Sequence, residues 1–588
     1  MKIFFRLQLV ILAAALCPVF AADPSDVALK AMRAELEHSK SLESANLGKP
    51  YFISYDVEDG EAFAASASLG GLITSTDTAF RLPRIQVRVG DYQFDNTNYA
   101  ASGFNRGSRY DIEQFPLENL YSVLRRYLWL ATDQSYKAAV ESLANKRAAL
   151  KNISAAETLP DFARAEPSQL IEEIPQSKLD RAIWLERART LSAIFAEFPQ
   201  VVGSNVEVQA IQSVRRLVNS EGSEVRTADD VLFLRARAAG QAPDGMLLHD
   251  AVSIHARDFG RGLDEASLKR EVRQVAENIA AISRAPVGDV YNGPVLFEGV
   301  AAAQLFAELL GRNLTLTRRP VTEPGGRPIN VPSSELEGRQ GSRILPEWMD
   351  VIDDPSQQTL NGRRLFGSYG IDFEGLAAKR LVLVEKGTLK NFLLTRQPVT
   401  GFKESNGRAR LPGLFGASTA GISNLFVRAA QTVPVADLKK QLLELCKARN
   451  LPYGMVVRKL DFPSSASFDE LRRLMATNAN EGSGSHIVSS PILIYRVYPD
   501  GREELIRGVR FRELNVRSLR DIRAAGDDPT IFDYLDNGAP LAVMGAGSYA
   551  AETTVIAPSV LVDDLEVRKA GEEVPKLPIV PPPLLAGK

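Results

Sequence analysis

The chain has 588 residues, too many for a single hydrophobic core, so two or more domains are expected. Its 45% hydrophobic, 24% charged and 7% aromatic residues are the ordinary proportions of a globular fold. A formal charge of −2 leaves no basic footprint for nucleic acid, and no internal run of 18 apolar residues predicts a membrane span.

The N-terminus departs from this pattern. Lys2 and Arg6 form a basic segment, Leu7–Leu16 is nearly all apolar, and Val19-Phe20-Ala21 puts small residues at the −3 and −1 positions. Residues 1–21 are therefore read as a signal peptide cleaved after Ala21 or Ala22. The protein is expected to be exported, periplasmic and free of a membrane span once cleaved. Leu16 before Cys17 excludes a lipoprotein site, and loss of Cys17 leaves Cys446 without an intramolecular partner.

Periodicity predicts a helix over Val27–Ser41, then short antiparallel strands at 51–55, 71–74 and 84–89. Helical blocks at 117–150 and 177–198 follow, separated by a loop over 153–167 and read as an insertion at about 105–205. Strands are expected at 209–218, 225–235 and 245–257, then a helix at 265–283. Arg284-Ala285-Pro286-Val287-Gly288 breaks that helix. An N-terminal α+β domain over 22–285 and a C-terminal domain over 286–570 are expected. Lys386-Gly387 and Pro499-Asp500-Gly501 read as hairpin turns, and residues 571–588 as a disordered Pro-rich tail.

The most informative stretch is Gly293–Gly311, an apolar lead-in followed by strong helix formers and a terminating glycine. Glu298 stands near the start of this helix, without histidines beside it. Four histidines occur, His38, His249, His255 and His486. His249 and His255 fall on one face of a strand but ~20 Å apart, too far to share an ion. His486 lies in a Gly-Ser turn, and His38 on an exposed helical face. Cys446 falls on an amphipathic helix and reads as a small core residue. Asp353-Asp354-Pro355 reads as a turn, and Asp372 with Glu374 as a structural pair; Gly545-Ala546-Gly547 lacks the third glycine of a phosphate loop.

Laid out in order, Asp353-Asp354-Pro355, Phe366–Gly375, Val384–Leu393, Asn406–Arg410 and Ile422–Phe426 resemble the TldD/PmbA family of bacterial metallopeptidase-related proteins, over roughly 290–565. The resemblance implies an α+β, two-domain fold with a large curved antiparallel sheet in the C-terminal half. It also implies homodimers, or heterodimers of a zinc-bearing and a zinc-free subunit. The active type holds unfolded peptides in extended form and cleaves them. Its motif is His-Glu-x-x-x-His plus a later Cys. Here the motif maps to Phe297-Glu298-Gly299-Val300-Ala301-Ala302, so Glu298 matches the general base while Phe297 and Ala302 replace both histidines. Met544 is nearest the Cys position. Neither a benzyl ring nor a methyl group can donate to zinc, and a lone thioether is a weak ligand.

The reading adopted is an exported member, without zinc and non-catalytic, that binds extended peptide or pairs with a catalytic paralogue. Glu298 is then a vestigial base, or a first-turn carboxylate favoured by the helix dipole. The alternatives are an active metallopeptidase of the family, and a structural or assembly protein of the cell envelope.

Overall fold

The computed structural model describes residues 26–43, 48–100, 109–110, 114–151, 159–175, 178–260, 263–322, 333–413, 417–462, 488–536 and 550–570. Residues 1–21, expected to be a signal peptide, His486, Met544, Gly545-Ala546-Gly547 and the Pro-rich residues 571–588 lie outside these residues. The fold class is α+β, with 25% helix and 41% strand among the described residues.

Helix α1 (Val27–Ser39) starts at Asp26, whose side chain accepts from the Leu29 amide. It leads into β1 (Pro50–Ser68) and β2 (Gly71–Val89), which pair along nearly their full length. Three short strands were expected here, and two of 19 residues are found. The missing middle is rich in Gly, Ala, Ser and Thr, from Gly60 to Ser68 and Thr74 to Ala79, which carry little strand signal. Pairing on both sides of β1 overrides that weakness.

Helices α2 (Tyr121–Leu150) and α3 (Arg181–Ala193) fall in the two blocks expected to be helical. Strands β3 (Val201–Asn219), β4 (Glu224–Gln241) and β5 (Leu247–Arg257) complete the sheet in the order β2-β1-β3-β4-β5, before helix α4 (Glu265–Arg284). All four helices lie along one face. Ile53, Tyr55 and Ile85 pack with α1 and α2, whereas Phe63, Val206 and Leu234 pack with α3 and α4. The opposite face carries Phe233, which packs on His255, and Arg215 and Arg257, which contact the C-terminal half. Period-two alternation sends each set to its own side.

The C-terminal half begins with β6 (Tyr291–Phe297) and α5 (Val300–Gly311). Then come β7 (Met349–Asp353), β8 (Leu381–Glu385), β9 (Thr388–Leu389), β10 (Asn424–Ala429), helix α6 (Val435–Ala448) and β11 (Gly454–Leu460). Strands β12 (Pro491–Val497), β13 (Glu503–Ile506), β14 (Val509–Arg512), β15 (Ile522–Ala525), β16 (Thr530–Asp536), β17 (Ala551–Ala557) and β18 (Val560–Lys569) complete it. One sheet runs β9-β8-β7-β10-β17-β16 and the other β13-β12-β11-β6-β18-β14, with β15 beside β18. Each is antiparallel except for one parallel pair, β10 with β17 and β6 with β11. The C-terminal half thus holds two antiparallel-rich sheets, and the fold includes the curled, half-barrel type of sheet. Both anticipated hairpins are present, and Lys386-Gly387 turns with φ of 47° and 69°.

Helix α5 packs between the two sheets, and Ala301 through Leu310 are all buried. A helix apolar on every side needs such surroundings. Helix α6 covers the outer face of the second sheet through Leu438, Leu442 and Cys446.

Candidate functional site

The stretch Gly293–Gly311 is a strand, a sharp turn and a helix, the expected apolar lead-in being β6. Along β6, Val295 and Phe297 face the core around α5, while Leu296 faces α6. Glu298 follows on the α6 side. Gly299 then adopts φ 59°, ψ −122°, a conformation that L side chains avoid, and its amide donates to Ser559 Oγ at 2.8 Å. This turn starts the helix only at Val300.

Glu298 consequently does not sit in the first helical turn, and the dipole role expected for it does not apply. Its Oε2 accepts from Arg458 Nε at 2.6 Å, and its Oε1 lies 3.3 Å from Lys439 Nζ. The same two cations reach Glu503, at 2.9 Å from Arg458 and 3.2 Å from Lys439. Burial opposes the charge of Arg458, but the bonds to Glu298 and Glu503 outweigh it and hold the proton more tightly than usual. Two carboxylates and two cations, from the residue after β6 and from α6, β11 and β13, thus form a quartet.

Phe297 and Ala302 are fully buried in the α5 core, with the Phe297 ring 5.6 Å from that of Phe511. Neither offers a lone pair. Among the described residues no group of three His, Cys, Asp or Glu side chains suits a metal ion. The described residues therefore do not fit the zinc centre of the family's active members.

The motifs that carried the resemblance form the scaffold around this region. Asp353 is fully buried, accepts from Arg408 Nε at 2.6 Å, and accepts from the Ser423 amide and hydroxyl. Gly367 packs so closely on Ser423 that a Cβ would lie 2.2 Å from its carbonyl oxygen. Asn424 Nδ2 donates to the Asp354 and Gln357 carbonyls. Asp372 accepts the amides of Glu374, Leu376 and Ala409, which is the structural role expected of it. Burial and the Asp372 charge push Glu374 up to about 7. Cys446 is buried on α6, and burial raises its thiol above the usual range. His38 pairs with Glu35 on α1 at 2.7 Å and is half-exposed.

What the sequence did not reveal is a cleft of about 1700 Å³ running along β5. Among the described residues β5 pairs with β4 alone, so its outer edge is free, and every residue from Leu247 to Arg257 lines the cleft. The Ala251 amide donates to the Asp250 side chain instead of across to β4. By antiparallel alternation, the N–H and C=O of Ser253 also point outward. Helix α4 forms one wall, and Val300, Gln304, Arg363, Phe462 and Phe532 contribute the other. His249 bonds Asp461 at 2.7 Å near one end of β5, while Arg257 at the other reaches the Phe366 carbonyl at 2.7 Å. Between them Ala251 and Ser253 are small. His249 and His255 share the strand as expected but serve its two ends. The alternation His249-x-Ala251-x-Ser253-x-His255-x-Arg257 was legible; that this strand is an edge was not.

Three comparisons bear on this arrangement. A family profile described as the PmbA/TldA metallopeptidase C-terminal domain matches residues 291–460. A metalloprotease of Methanothermobacter thermautotrophicus is 31% identical over 217 residues, 36% of this chain and 43% of the relative. A metalloprotease of Methanocaldococcus jannaschii is 34% identical over 96 residues, 16% of this chain and 20% of the relative. The matches thus span less than half the length of these curated relatives. TldE from Thermococcus kodakarensis superposes with a TM-score of 0.57 at 15% identity, covering 92% of this chain and all of the other. A candidate modulator of DNA gyrase from Thermotoga maritima gives 0.53 at 16% identity, covering 88% and 96%. These two share the fold. The metallopeptidase-type C-terminal domain matched over β6, α5 and β11, together with the shared fold, supports the TldD/PmbA family for this chain.

Proposed function

We propose that this chain binds extended peptides by strand addition along β5 and does so without a zinc ion of its own. The free edge of β5 carries the reading. Alternate residues along this eleven-residue edge strand turn main-chain donors and acceptors into the cleft, where an unfolded segment can pair with them, and this needs no metal. Small side chains at Ala251 and Ser253 leave room for a second backbone. The quartet argues against residual hydrolysis by Glu298, because a general base needs a lone pair free for the attacking water. Both oxygens of Glu298 already face cations. Export through residues 1–21, and pairing with itself or with a catalytic paralogue, belong to the same proposal.

The test is metal analysis of the purified protein beside a cleavage assay on an unstructured peptide, with Glu298→Gln as control. Peptide binding with less than a tenth of a zinc per chain and no cleavage supports the proposal. Stoichiometric zinc, with cleavage abolished by Glu298→Gln, overturns it.

A further inference from the structure

His255 lies on β5 between two aromatic rings, 5.3 Å from Phe233 and 5.0 Å from Phe366 by centroids. It lines the cleft and is only 7% exposed, yet neither Nδ1 nor Nε2 has a hydrogen-bond partner among the described residues. Leaving such groups buried and unpaired carries their desolvation penalty without return. A phenyl ring would satisfy the same aromatic sandwich without that cost. The fold therefore carries an imidazole where packing alone has no use for one.

The surroundings narrow what it recognises. Two cations beside it are already balanced, Arg363 by Asp533 and Arg257 by Asp229. Neither is left over for a charged ligand group. Burial, assisted by the Arg363 charge, holds His255 well below its ordinary value, at about 3. A neutral imidazole offers one N–H donor and one nitrogen acceptor. An amide presents the complement, a carbonyl acceptor and an N–H donor.

We propose that His255 is a specificity residue that reads an uncharged amide group of the peptide bound along β5, an inference that rests on the cleft reading above. The amide comes either from the peptide backbone or from an Asn or Gln side chain, and both present the same chemistry.

The experiment measures the Kd of a fluorescein-labelled, unstructured twelve-residue peptide containing Gln and Asn, by anisotropy, together with the melting temperature of each free protein. His255→Phe is expected to weaken binding about tenfold, or ~1.4 kcal/mol, while the free variant melts at or above the wild-type temperature. His255→Asn, which keeps a donor and an acceptor, recovers part of the affinity. A purely structural histidine would lower the melting temperature and leave Kd unchanged. Peptides with ester-for-amide replacements lose the His255-dependent difference if the backbone is read, and peptides with Gln and Asn changed to Ala lose it if the side chain is read. Binding by His255→Phe within twofold of wild type, or no loss with either peptide series, overturns the inference while leaving the cleft reading intact. A wild-type protein that binds no peptide overturns both.

Discussion

Introducing histidines at the two positions where the family resemblance places them tests how the site is built. In the double variant Phe297→His, Ala302→His both new imidazoles enter the apolar core around α5, where the present side chains are fully buried. Losing the buried Phe297 ring costs ~1.5–3 kcal/mol of apolar burial. Each unpaired imidazole nitrogen adds ~1–3 kcal/mol, and forcing a ring into the place of Ala302 adds a similar overpacking cost. A loss of about 4 kcal/mol or more is expected, on the order of 10 °C in melting temperature for a domain of this size. Glu298 stays on the α6 side of the sheet, bound to Arg458 and Lys439. Calorimetry with metal analysis and a cleavage assay reads all three consequences. A double variant that melts with the wild type, holds one zinc per chain and cleaves peptide in a Glu298-dependent way would refute this reasoning.

Three further outcomes follow from buried charges. Asp353→Ala strands the fully buried Arg408 and should cost about 3–5 kcal/mol, read as a lower urea midpoint; a midpoint within 0.5 kcal/mol of wild type contradicts the scaffold role. His255, held at about 3 against an ordinary 6.5, binds fewer protons folded than unfolded between those values, so its share of stability is lost on acidification below 6.5. The stability of His255→Phe relative to wild type should accordingly rise by about 2 kcal/mol between pH 7 and 5, and an unchanged difference contradicts its burial. Glu374 has the opposite sign. Its carboxyl, pushed up to about 7, stabilises the protonated fold below 4.5 and loses that contribution as pH rises. Glu374→Gln should stabilise the protein at pH 8 by up to about 3 kcal/mol and have little effect at pH 4.5.

Local signals located most elements because helices α1 to α4 and α6 present a polar face and an apolar face to a single sheet. Periodicity fails where both sides are buried. The β6 strand and α5 helix form one long apolar run, and only the Gly299 turn divides them. It also fails in β1 and β2, where small residues are ordered by their neighbours. The family motifs were legible because buried pairs such as Asp353–Arg408 and contacts such as Gly367 on Ser423 demand particular residues. The cleft was not, since a free strand edge is a property of topology. Nor was the Glu298 quartet, whose members stand up to 205 residues apart, from Glu298 to Glu503. Each of its charges alone reads as a solvated surface residue.

The central claim is that the free edge of β5 receives extended peptide. Ser253→Pro removes one outward N–H from that edge, a change that an edge strand tolerates because the ladder to β4 does not use this donor. The decisive measurement is the Kd of an unstructured peptide for this variant and for wild type, in a chelated buffer. Strand addition predicts wild-type binding that persists without metal and weakens at least tenfold in Ser253→Pro at an unchanged melting temperature. Equal affinity in the two proteins, or wild-type binding that disappears on chelation, would contradict it.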